Sequence, residues 1–167
     1  MSYHPSLATP STTPNLWQRL LATDSSLGAP ALRLALATVL FPHGAQKALG
    51  WFGGHGWSGT MGFLTEQIGM PGPAAAMVIL LELLGPVLLM LGLLVRPVAL
   101  GCLGLMVGAI ATVHAPHGFF MNWFGQQQGE GFEYHLLVIG MALALSSLGG
   151  GRWSVDGRLA NVATLRR

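Results

Sequence analysis

Residues 74–95 read AAAMVILLELLGPVLLMLGLLV, and this stretch decides the fold. As a helix rising about 1.5 Å per residue it covers roughly 30 Å, the thickness of a bilayer's hydrocarbon core. Glu82 is its only ionisable side chain. A charged group at such a depth costs about 2.5–3.5 kcal/mol or more on insertion scales. Glu82 is therefore expected to face the inside of a bundle and to be neutral or paired there.

The rest of the chain agrees. Of 167 residues 51% are hydrophobic and only 8% charged, against about a quarter charged in a soluble domain, so the class is an integral membrane protein. A formal charge of +2 gives no nucleic-acid footprint. Cys102 is the only cysteine, which excludes an intrachain disulfide, a CxxC relay and a thiolate metal cage. The opening MSYHPSLATPSTTPN has neither the basic start nor the apolar core of a signal peptide. Its Pro, Ser and Thr content reads as a disordered leader.

Three more segments approach membrane length, giving four spans: Pro30 to Leu49, Pro73 to Val95, Pro97 to Ala115 and Phe132 to Leu148. Proline opens the first three, where its missing N–H costs nothing, and Gly149-Gly150-Gly151 stops the fourth. Arg19, Arg33, Arg96, Arg152, Arg158, Arg166 and Arg167 all fall on one side of this topology, and Lys47 alone lies towards the other. The positive-inside rule then puts both termini in the cytoplasm, with loops 50–72 and 116–131 outside. Trp51, Trp57 and Trp123 fit an outer aromatic belt, and Trp17 and Trp153 an inner one.

The expected architecture is all-α: a four-helix membrane bundle over residues 30–151, preceded by residues 1–29 and followed by a cytoplasmic tail, 152–167. Residues 15–27 are expected to form a short amphipathic helix on the cytoplasmic surface. The first outer loop is too apolar to be free, and a short interfacial or re-entrant helix is expected over residues 58–68. Gly85, Gly92, Gly101, Gly104 and Gly108 read as close-packing positions between helices.

Orientation turns scattered ionisable residues into a cluster. His43 and Lys47, an i, i+4 pair on one helix face, lie in the outer half of span one. His114 closes span three, His117 follows it, and Glu133 and His135 open span four. Glu82 lies below them near mid-bilayer, with Lys47 or a histidine as its natural partner. Three chemistries fit such a site. The groups could hydrogen-bond and protonate a quinone. They could hold a metal, with His114, His117 and Glu133 as candidate ligands. They could also line a path for protons or a polar solute, for which four spans would require a homo-oligomer.

In LRLALATVLFPHGAQKALGWFG, LLELLGPVLLMLGLLVRPVAL, LMVGAIATVHAPHGFF, GFEYHLL and GGGRWSVDGRLA the chain resembles the DoxX family of small bacterial membrane proteins, over about residues 30–160. The resemblance implies a four-helix bundle. It also implies a link to quinone-dependent oxidation of sulfur compounds, as in the small subunit of thiosulfate:quinone oxidoreductase, or to other membrane oxidoreductase complexes. The family's polar pattern falls on His43, Gln46, Lys47, Glu82, His114 and Glu133. His117 and His135 are not carried over, and Arg152, Ser154 and Asp156 are expected to form a structural cap.

The reading is a quinone-interacting redox protein or oxidoreductase subunit with an outward-facing polar pocket. His43, Gln46 and His114 would contact the quinone, Glu82 and Glu133 would accept protons, and Lys47 would favour anionic species. A soluble or membrane oxidoreductase is the implied partner. A histidine-bound metal or haem is the alternative carrier, and a non-catalytic anchor or a metal or solute transporter the alternative role.

Overall fold

The computed structural model of the chain describes residues 16–165, with side chains to residue 161. The expected disordered leader, residues 1–15, and the terminal pair Arg166 and Arg167 lie outside the described residues. Within them the chain is all-helical, with no strand: α1 Leu16–Leu21, α2 Gly28–Leu49, α3 Gly56–Gly62, α4 Gly72–Leu91, α5 Val95–Ala109, α6 Glu133–Leu148 and α7 Val155–Leu165. α3 runs on as a π-helical turn, Phe63–Gln67, so a helix does occupy the first long loop. α5 likewise continues through a π-helical turn, Ile110–His114, and a 3₁₀ turn, Ala115–His117.

The long helices α2, α4, α5 and α6 close a ring, with α2 on α4, α4 on α5, α5 on α6 and α6 on α2. Its interior is apolar towards one end, where Leu36, Leu40, Leu89, Val98, Val138 and Leu145 pack. Its outer face is apolar as well: Met77, Leu100, Val107 and Leu137 are all more than half exposed. Two helical stretches, Gly72–Leu91 and Val95–His117, are long and apolar enough to cross a membrane. α6 is apolar but shorter, and α2 carries Arg33, His43, Gln46 and Lys47 along its length.

The tightest crossing is between α2 and α4 at Gly44. A Cβ at residue 44 would collide with the backbone of Glu82 and Leu83, so only glycine allows this approach. The nearest atom is the Glu82 carbonyl oxygen. Pro86, four residues on, has no N–H to return to that oxygen, so the helical ladder is open where α2 comes closest. Gly85 and Gly101 are also tightly packed, against Val98 and Leu81. Gly104 and Gly108 differ from the packing expectation, since nothing lies within 4 Å of a side chain built there. Gly92 is closely packed too, against Arg33 and Ser154, and also ends α4 at φ 66°.

The ring has two unlike ends. One, here called distal, carries the 50–71 and 115–132 connections. The other, proximal, gathers α1, the 92–94 turn and α7: Asp24 N–H donates to Leu148 O, Arg152 N–H to Ser26 O and Asp156 N–H to Gly92 O. Asp156, 1% exposed, caps the start of α5 by accepting from the N–H groups of Leu94 and Val95 at 2.8 and 2.9 Å. That pairing holds Leu94 at φ 53°, a left-handed conformation that a leucine seldom adopts. α5 consequently starts at Val95, before the proline expected to open it.

Two arginines bond within the protein. Arg33 is 3% exposed and donates to the carbonyls of Leu89, Arg152 and Trp153. Arg96 donates to Ala22 O and Ser146 O. Both donate to helix-end and turn carbonyls, and so staple the proximal end together.

Candidate functional site

Lys47 follows Gly44 by one helical turn, so the glycine crossing brings its ammonium against α4. Lys47 Nζ donates to Glu82 Oε1 at 2.5 Å and also contacts Oε2. Glu82 is ten residues beyond Gly72, about 15 Å along α4. Its side chain is 6% exposed against 39% for Lys47, so the pair joins a buried carboxylate to a partly open ammonium. The Thr60 hydroxyl, from α3, donates to Lys47 O at 3.1 Å and fixes the distal end of α2.

From this pair an arc of rings runs round the distal half of the bundle. His43 lies one turn before Lys47, and its ring centroid is 6.1 Å from that of Tyr134 on α6. Tyr134 is followed by His135, whose ring is 4.1 Å from that of His114 at the end of α5. The charges of Lys47 and Glu82 both act on the His43 imidazole, and Glu82 acts on Tyr134 and Cys102. The Tyr134 hydroxyl and His135 Nδ1 are buried and make no hydrogen bond among the described residues. Two such groups side by side in an apolar ring suit a ligand that offers hydrogen-bond acceptors.

The remaining candidates are engaged elsewhere. Glu133 Oε1 accepts from Met121 N–H at 3.1 Å and from the Trp123 indole at 2.8 Å, holding the 118–131 connection to the start of α6. Gln46 donates to Phe52 O at 3.2 Å and holds the turn after α2. The His117 ring lies against Gly129, and His114 Nδ1 is 2.8 Å from Glu130 O. Among the described residues no three His, Cys, Asp or Glu side chains converge as metal ligands would, and His114, His117 and Glu133 each keep separate partners. A cavity of about 810 Å³ opens at the proximal end, between α1 and α7.

Tyr134 is not among the residues singled out in the sequence, and His135, which opens span four there, is not carried over as a site residue. The signal that finds it is its spacing from the apolar positions: His135, Val138, Ala142 and Leu145 form the buried stripe of α6.

A family model, DoxX, matches residues 28–115. This chain belongs to the DoxX family. The match spans α2 to the π-helical turn after α5 and ends at residue 115, so it contains His43, Lys47, Glu82 and His114, while Tyr134 and His135 lie beyond it. This DoxX protein is also 32% identical over 120 residues to a Bacillus subtilis (strain 168) protein named "Putative oxidoreductase CatD", covering 72% of this chain and 79% of that one. No solved structure matches the DoxX chain. It is thus a protein of a membrane-associated family with an oxidoreductase-named relative.

Proposed function

We propose that this protein is a quinone-interacting redox component of the bacterial inner membrane, acting as a subunit of an oxidoreductase. In this reading residues 30–151 cross the membrane four times, both termini are cytoplasmic, and the distal end faces outward. The observation that carries it is the buried Lys47–Glu82 pair beside two unpartnered polar groups, Tyr134 OH and His135 Nδ1, in an apolar ring. A quinone, when bound, would take up electrons from a partner together with protons from the protein.

The residues divide that work. Tyr134 and His135, with His43 and His114 flanking them, would hold the ring by hydrogen bonds. Lys47, the partly open member of its pair, exchanges protons with the outer surface, and Glu82 is the interior carboxylate that passes them on. Glu133 orders the covering loop rather than carrying protons.

The test is extraction and quantification of quinone from the purified protein. Wild type should retain quinone, and the Tyr134→Phe/His135→Ala double variant should lose most of it while remaining folded. Wild-type protein free of quinone, with no quinone-dependent spectral change on addition of a soluble analogue, would sink the proposal.

One observation favours a second reading, a non-catalytic anchor for an oxidoreductase: Lys47 and Glu82 already satisfy each other. Under that reading Glu82→Gln would change the amount of assembled complex and leave turnover per complex untouched.

A further inference from the structure

The proximal cavity, of about 810 Å³, is lined in part by Arg152, Trp153 and Arg158 from the α7 side and by Thr23 and Asp24 from the connection after α1. Arg152 and Arg158 are exposed and form no ion pair among the described residues. Asp24, the acid in the lining, spends Oδ1 on the Ser26 N–H at 3.1 Å. The cavity therefore carries a net positive charge, set by two guanidinium groups suited to phosphate.

One large aromatic side chain, Trp153, belongs to the lining. Trp153 is 68% exposed and sits at φ 59°, with the Arg152 guanidinium 5.3 Å from its ring centroid. Buried Arg33, bonded to the carbonyls of Arg152 and Trp153, pins that strained backbone. Strain that holds an indole outward beside two arginines makes sense where one half of the ligand is hydrocarbon and the other an anion. A free phosphate would use the arginines and leave the exposed Trp153 indole without a role.

We infer that this cavity is a binding site for the headgroup of an anionic phospholipid, with Arg152 and Arg158 on the phosphate and Trp153 at the interface with the acyl chains. The site is separate from the quinone proposal, sharing no residue with it, and either can fail alone.

The full-length protein, reconstituted in nanodiscs, would be tested with brominated phosphatidylglycerol and brominated phosphatidylcholine as quenchers of tryptophan fluorescence. The component lost in Trp153→Phe reports the site. We expect phosphatidylglycerol to quench it preferentially, the preference falling by about fivefold for each arginine replaced in Arg152→Gln and Arg158→Gln. Both side chains are exposed, so circular dichroism should be unchanged. Equal quenching by the two lipids, or a preference that survives the double replacement, overturns the inference. So does displacement of the lipid signal by millimolar inorganic phosphate, which would make the source a free anion.

Discussion

A buried carboxylate with one partner is vulnerable in an asymmetric way. Lys47→Ala would strand Glu82, 5% exposed, and should cost about 3 kcal/mol, the lower end for breaking a buried pair because the lysine itself is partly open. Lys47→Met/Glu82→Gln should recover most of that loss, since no charge is then left in the interior. Thermal unfolding in detergent of the wild type, the single and the double variant checks both statements, and a double variant as weak as the single one would contradict them. The pairing of Glu82 was legible from sequence, because a carboxylate amid leucines needs a cation and Lys47 is the nearest in the outer half. The direction of the Glu133 side chain was not. Its partners, Met121 N–H and the Trp123 indole, come from an irregular loop whose path follows no periodicity.

Among the helices, function depends on backbone spacing as much as on polar groups. Gly44→Ala adds one methyl group, yet must push α2 off the Glu82 carbonyl and so draw Lys47 from its carboxylate. It should cost about 1–3 kcal/mol as an overpacked contact and, on the proposed proton route through Lys47 and Glu82, lower quinone-dependent activity without touching an ionisable residue. Stability and quinone-dependent activity measured on the same preparation would show whether the two fall together. Asp156→Ala, in turn, removes the cap from α5 and frees the strained Leu94, at a cost of about 2 kcal/mol read by thermal unfolding. The helices themselves were readable, within a few residues, from apolar length and from proline and glycine punctuation. The start of α5 was not, because a carboxylate from 61 residues later in the chain sets it. Nor was the π-helical turn before His114, which brings that ring onto His135 through a local change of helix type that composition does not encode.

At the scale of the whole molecule, an apolar outer face and two membrane-length helices require a bilayer or detergent, and the proposed orientation has a direct measure. A membrane-impermeant maleimide applied to intact spheroplasts should label Phe124→Cys, in the distal loop, and leave Leu159→Cys, on α7, unmodified until the membrane is opened. Labelling of Leu159→Cys first would invert the topology. Native Cys102 is buried and should stay silent in both. Arginine distribution suggested this orientation, but Arg33 and Arg96 turned out to be internal staples, so the bias facing the cytoplasm rests on fewer cations than a count suggests. The Asp156 cap has one more consequence, for biogenesis. Residue 156 leaves the ribosome after every helix of the ring has been made, yet the turn between α4 and α5 is incomplete without it. The turn is therefore sealed only once α7 has been made, and a variant cut before residue 155, with the Leu94 and Val95 N–H groups left open, should be degraded faster than wild type in a pulse-chase experiment.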